Sequence, residues 1–291
     1  MLEYSLIAGI LFGVFFGFMA LGLNLIFGVM QVVNLAHGDF VVLGGYLAVV
    51  AYSSAHVNPL MSLILALVLF VVVAYVLYFP LIPRLTKSKD PEMLSLILFF
   101  GLSQIIEALD VIGFGNNPRS LPLAIMGSVP LHFLGQNYQM AWVITALVSL
   151  IMIGVTYGFL YYTRIGYAAR AVMGNRDEAM ASGLPVAQTS AIIFAVGIGL
   201  AAMAGVMSPF MIGSIDPSTG LGLTTIAFAI VVIGSLGNPL GSVLGGLVYG
   251  ISVMLMQTYF SSWSNLVPYL LLLIIVLVKP SGLLGRGVRN A

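Results

Sequence analysis

The sequence predicts an all-α membrane protein, a polytopic transmembrane helix bundle of about eight or nine spans, some short, broken or re-entrant. Three observations carry this. Charged residues make up 7% of the 291-residue chain, against roughly 25% in soluble domains. Apolar residues reach 60% and mean hydropathy is +1.13, so 10 basic and 9 acidic side chains cannot solvate the surface. The apolar residues also fall into runs close to the ~20 residues that cross a hydrocarbon core.

In chain order the runs are 5–30, 40–54, 60–82, 93–114, 142–162, 188–212, 221–236, 240–260 and 265–278. Three of them, 40–54, 221–236 and 265–278, are short enough to be tilted, broken or re-entrant. Residues 1–291 read as one transmembrane domain. Met1-Leu2-Glu3-Tyr4 lacks the basic stretch of a signal peptide, so the first run is expected to remain as a membrane helix.

The basic residues set the expected topology. Arg84, Lys87 and Lys89 form one group, Arg164, Arg170 and Arg176 a second, and Lys279, Arg286 and Arg289 a third. Even numbers of spans separate them, so all three share one side, which the positive-inside rule makes cytoplasmic. The N-terminus then lies outside and the C-terminus in the cytoplasm. A re-entrant pair over 221–260 would keep that parity. Tyr75, Tyr78, Phe79, Tyr157, Tyr161 and Tyr162 mark the basic boundary, and Trp142 and Trp263 the opposite one.

The chain has 33 glycines. Gly9, Gly13 and Gly17, Gly241 with Gly245, and Gly246 with Gly250 recur at helical spacing, which lets helix backbones approach closely in lipid. This predicts packing within the bundle, with homodimerisation through one stripe as the alternative. A faint internal echo aligns Leu43-Gly44-Gly45 with Leu244-Gly245-Gly246 and thereby pairs residues 34–39 with 235–240. Each region is a polar, glycine-containing interruption between short apolar runs, the form that broken helices take at transporter sites.

Polar residues at bilayer depth require an explanation. Asn34, His37 and Asp39 form the first cluster. They either line a gate beside a translocation path, or Asp39 caps a helix starting at Phe40 while the other two satisfy free backbone groups. Glu107 and Asp110 share a helix face. Asp110 is expected near the outer, solvated end, and Glu107 about one turn deeper. Asn238-Pro239, downstream of Thr224 and Thr225, is a turn that either lines the path or serves structure alone. Asn24 reads as an interhelical hydrogen-bonding residue, and Asp216 lies beside a membrane segment.

Residues 163–185 form the longest connection on the basic side. They read as one or two short alanine-rich amphipathic helices with Ala168, Ala171, Val172 and Ala179 as small apolar knobs, stopped by Gly183 and Pro185. Such a unit has the form of a coupling device for a partner; the alternative is a helix resting on lipid headgroups. Cysteine is absent, which rules out disulfide, iron–sulfur and thiol chemistry. Three histidines argue against a zinc site. The near-neutral charge excludes a nucleic-acid-binding module, and no nucleophile–base pair suggests an enzyme.

Four stretches resemble the integral-membrane permease subunit of bacterial ABC importers of the branched-chain amino acid class. They are Val33-Asn34-Leu35-Ala36-His37-Gly38-Asp39 with Gly44-Gly45-Tyr46; Thr163-Arg164-Ile165-Gly166 through Arg170-Ala171 to Glu178-Ala179 and Gly183; Ile233-Gly234-Ser235-Leu236-Gly237-Asn238 with Gly241 and Gly245-Gly246; and Lys279-Pro280-Ser281-Gly282-Leu283-Leu284-Gly285. Their order fits over essentially the full chain. The resemblance implies an importer subunit for a small hydrophobic amino acid, in the bacterial inner membrane. It would be partnered by a second related permease, two cytosolic ATPases and an extracytoplasmic solute-binding protein.

It also implies that Gly166, Arg170, Glu178, Ala179 and Gly183 belong to the ATPase-coupling segment. Asn34, His37, Asp39 and Asn238 are then candidate polar groups of the path or gate. ATP and Mg would be held by the partner chains, since the sequence has no Gly-x-x-x-x-Gly-Lys phosphate loop, and no cofactor is expected on this chain. A stand-alone secondary transporter using His37, Asp39 and Glu107 is an alternative, as is a passive amide or urea channel.

Overall fold

The computed structural model describes residues 1–85 and 88–285; Lys87, Arg286 and Arg289 of the basic groups lie outside the described residues. Eleven α-helices follow in order: α1 Leu2–Met30, α2 His37–Ala55, α3 Pro59–Leu85, α4 Pro91–Phe114, α5 Met140–Tyr162, α6 Arg164–Gly174, α7 Arg176–Ala181, α8 Val186–Ile212, α9 Thr219–Gly234, α10 Pro239–Tyr259 and α11 Val267–Val278. Eight helical segments are long and apolar enough to cross a membrane, the last being α11 with the 3-10 turn before it, while α9 is a shorter apolar helix of 16 residues. Every expected span is therefore a helix. The connection after α4 also carries a small antiparallel hairpin, Leu131–Phe133 with Gln136–Tyr138.

Local chemistry sets the helix ends. Gln31 takes a left-handed conformation at φ 54° and its N–H returns to the Phe27 carbonyl, which stops α1. Asn34 Oδ1 accepts the Ala36 N–H at 3.0 Å, and α2 begins at His37, three residues before the expected Phe40 start. Asp90 caps α4 by accepting the Met93 N–H at 3.1 Å, with Pro91 in the first turn. Asn238 and Pro239 do the same for α10, Asn238 Oδ1 accepting the Leu240 N–H. Proline has no N–H to leave unpaired there.

Two helices form the centre. Within α8, an 18-residue window is 89% buried, and it packs on α1, α2 and α3. The glycine stripes of α1 and α10 face each other. A methyl group on Gly9 would lie 2.7 Å from Ile251 Cα, one on Gly13 2.8 Å from Leu247 Cα, and one on Gly246 2.5 Å from Gly17 Cα. Only hydrogen fits between these backbones, so the stripes serve packing inside the chain. Around this centre, α3, α4, α5 and α11 expose wide apolar faces: Val72, Ile105, Leu150 and Leu277 are all exposed.

The two ends of the bundle are distinct. At one end Lys89 and Arg176 share a polar pocket with Met30, Gln31, Asp90 and Glu92, and α6–α7 and the segment after α11 gather beside them. At the other, Tyr4 stacks on Tyr138 of the hairpin at 5.3 Å, Ser5 Oγ donates to Thr258 Oγ1 at 2.8 Å, and Arg119 pairs with Ile215 through two backbone hydrogen bonds.

Candidate functional site

Two helix breaks and one helical connector hold the residues singled out by the sequence. The first break lies between α1 and α2, where Asn34, His37 and Asp39 are all buried. His37 Nε2 donates to the Met19 carbonyl at 2.9 Å, which leaves Nδ1 as a buried acceptor without a partner. The Thr224 hydroxyl of α9 donates to the Leu35 carbonyl at 2.9 Å and accepts the Gly38 N–H at 2.8 Å, pinning the break. A side chain on Gly38 would strike the Gly220 carbonyl and Thr224. Asp39 is not the cap of α2: it sits within the first turn, its carboxylate packs against Gly220, and Oδ2 has no partner.

The second break, 235–238, joins α9 to α10. Asn24 Nδ2 lies 2.7 Å from the Asn238 carbonyl, 2.7 Å from Ser242 Oγ and 3.3 Å from the Ser235 carbonyl, so two amide hydrogens are shared by three acceptors. Its Oδ1 accepts the Gly237 N–H at 2.6 Å. The two breaks are thus pinned reciprocally, α1 holding the turn after α9 and α9 holding the turn after α1. Asn238 is therefore well separated in role from the Asn34–His37–Asp39 cluster: it caps α10 and receives Asn24. The segment after α11 closes this node. Leu283 and Leu284 donate backbone N–H groups to the Ile233 and Gly234 carbonyls at 2.8 and 3.1 Å, and Gly282, at φ 77°, leaves no room for a side chain beside Ser235.

The helical connector is α6–α7. Thr163 caps α6 by accepting the Gly166 N–H at 3.0 Å, and a side chain on Gly166 would overlap the Phe159 and Leu160 carbonyls. That closeness folds α6 back onto the end of α5. Arg170 fixes the fold: Nε donates to the Leu160 carbonyl at 3.1 Å, and the guanidinium lies 4.2 Å from the Tyr161 ring centre and 4.7 Å from that of Tyr167. Arg170 and Gly166 are consequently internal braces. In α7, Asn175 accepts the Asp177 and Glu178 N–H groups and donates to Glu178 Oε1 at 2.7 Å. Ala179 is buried, and Gly183, exposed at φ 78°, ends the helix in a left-handed turn.

Ala168, Ala171, Val172 and Ala179 are the small apolar knobs expected of this segment. Only Ala171 is exposed; the other three face the bundle. The outward surface is instead Glu178, Met180, Ser182 and Gly183, with Met180 62% exposed. Met173 of α6 touches Gly28 near the end of α1, and Gly28 lies against Gly237 of the second break. A continuous path of contacts thus leads from α6 to the node at 235–238.

Residues 5–276 match the model of the family described as branched-chain amino acid transport system, permease component. The chain belongs to that permease family. It is therefore a permease component of a transport system. Among the relatives of this permease, the high-affinity branched-chain amino acid transport system permease protein LivH of Escherichia coli K12 is 27% identical over 289 residues, 96% of this chain and 94% of the relative. BraD of Pseudomonas aeruginosa, named as the same kind of permease, is 25% identical over 293 residues, 97% and 95% of the two chains. A probable LivH of Methanocaldococcus jannaschii is 29% identical over 283 residues, 92% and 87%. No solved structure matches the permease.

Two contributors escaped the sequence reading. Ser103 of α4 faces Asp39, and Tyr46, two turns along α2, stacks on Phe114 of α4 at 4.1 Å. The signal was present in α4, whose buried residues Ser95, Phe99, Ser103, Ile106 and Asp110 form a single stripe with three polar members. Asp110 is 2% exposed, so it is enclosed by the bundle instead of solvated at its outer end.

Proposed function

We propose that the chain is the membrane subunit of an ATP-driven importer and forms, with a second related permease, the path for a small hydrophobic amino acid of the branched-chain type. Two cytosolic ATPases holding ATP and Mg dock at the α6–α7 end, and a solute-binding protein delivers substrate at the end carrying the hairpin and Arg119. The basic end faces the cytoplasm by the positive-inside rule, with the N-terminus outside, in the bacterial inner membrane. One observation carries the coupling assignment: α6–α7 is braced as a unit by Gly166 and Arg170, and through Met173 it touches Gly28, which meets the second break.

ATP-driven closure of the ATPases would push α6–α7, and the contacts through Gly28 and Gly237 would carry that displacement to the breaks where α1, α9 and α10 meet. Rigid elements with glycine contacts transmit it because packed interfaces resist compression. Asn34, His37, Asp39 and Asn238 remain the proposed polar groups at the gate.

The test is uptake of leucine into proteoliposomes holding this chain with its partner permease and ATPases. Accumulation that requires ATP inside and the binding protein outside supports the reading. Uptake by this chain alone, driven by a proton gradient, would overturn it in favour of a secondary transporter, and flux without accumulation would identify a channel.

A further inference from the structure

The seam between α2 and α4 gathers carboxylates and hydroxyls from both helices. Asp39 and Tyr46 lie on one face of α2, and Ser103 and Asp110 on one face of α4, at matching helical spacing. Asp39 is met by Ser103, and Tyr46 stacks on Phe114 next to Asp110. All four are 2% exposed or less; the Ser103 hydroxyl is within hydrogen-bonding reach of the Asp39 carboxylate, and Asp39 Oδ2 and Tyr46 Oη, both on α2, have no hydrogen-bond partner. Buried polar atoms in folded proteins are almost always paired, so unpaired oxygens along the α2 face of the seam, opposite Asp110, mark it as a place for a polar guest.

At the edge of the seam Glu107 is half-buried and Gln104 exposed, the Gln104 amide donating to Glu107 Oε2 at 3.4 Å. A carboxylate and an amide on the open face of an apolar helix are costly against lipid, so this face meets water. The charged groups facing the seam are Asp39, Glu107, Asp110 and Asp216, with Arg119 as the counter-charge at the outer end. Arg119 is already engaged, donating to the Phe114 carbonyl at 3.0 Å with its guanidinium over the Phe114 ring.

We propose that this seam is the recognition site for the protonated amine of a zwitterionic substrate, with Glu107 and Gln104 receiving it and the Asp39–Ser103 and Tyr46–Asp110 pairs behind them. The proposal rests on the importer reading and deepens it: a substrate carrying an ammonium group is selected over a neutral amide, urea or a plain carboxylic acid. Only five residues of α4 are buried, so a small outward movement of this helix opens the seam.

The absence of cysteine gives a clean test in the assembled complex. Gln104→Cys is treated with methanethiosulfonate reagents bearing either a trimethylammonium or a sulfonate group, with rates normalised to a free thiol. The cationic reagent is expected to react about tenfold faster, and Glu107→Gln in the same background should bring the ratio to about one. Leucine should slow the reaction, whereas 4-methylpentanoate, which has the side chain without the amine, should not. Equal rates for both reagents, no reaction with either, or equal protection by both compounds would overturn the site. ATP-driven leucine uptake is measured on the same vesicles. Uptake without charge preference discards the seam and leaves the importer reading standing, while loss of uptake in unmodified protein discards that reading itself.

Discussion

Asn24 is a single amide that serves four groups of one turn, and its replacement tests how much that turn depends on it. Asn24→Leu removes the acceptor of the Gly237 N–H and the donor to the Ser242 hydroxyl, while the Ser235 and Asn238 carbonyls keep their backbone donors, a loss of about 1–3 kcal/mol. We expect a lower thermal midpoint for the detergent-solubilised protein by scanning fluorimetry, and faster proteolysis near 235–238. Arg170→Ala should free α6 from α5 and abolish co-purification of the ATPases, because the brace to Leu160 and the two tyrosine rings goes with it. Met180→Asp, on the outward surface, should weaken co-purification while leaving the thermal midpoint unchanged. Residue types alone indicated Asn24 as a staple and the 163–185 segment as a docking element. They did not indicate which members face outward, because alanines suit either side of a short amphipathic helix and the choice was made by Gly166 and Arg170 folding α6 onto α5.

Among the elements, the α1–α10 pair depends on missing side chains. Gly13→Leu or Gly246→Leu forces apart backbones that admit no Cβ, and we expect loss of monodisperse protein on size-exclusion chromatography. Gly154→Ala and Gly158→Ala in α5, where nothing lies within 4 Å of the added carbon, should be silent in the same assay. The glycine periodicity of α1 and α10 was visible in the sequence, but their mutual pairing was not, since spacing names a face and not its partner. The start of α2 was misplaced for a related reason: Asp39 is a good capping residue by type, yet Asn34 occupies that role upstream, and Asp39 is left facing α4. Of the α4 stripe only Asp110 stood out in the sequence, because its other polar members, Ser95 and Ser103, are serines, which tolerate lipid-facing positions as readily as buried ones.

For the whole molecule, the topology is the simplest proposal to check. Single cysteines at Ser128 and Ser182 should be labelled by an impermeant maleimide from opposite sides of intact cells, Ser128→Cys from outside and Ser182→Cys only after permeabilisation; the reverse pattern would invert the bundle. Much of the architecture was legible because charge and apolar length are one-dimensional signals, and helices in lipid must satisfy their own backbone groups. The breaks, the reciprocal staples and the α2–α4 seam were not, because each joins residues far apart in sequence. Asn24 and Ser242, for instance, are 218 positions apart. That separation has a consequence for how the protein is made. As chains fold from the N-terminus during synthesis, the first helix enters the membrane with its glycine face bare and its amide unanswered, and the partner that completes both is translated among the last. The newborn chain must therefore survive most of its own elongation with its innermost surface open to lipid, and any variant that slows the arrival of α10 should surface as a loss of yield at the ribosome long before it appears as a defect in transport.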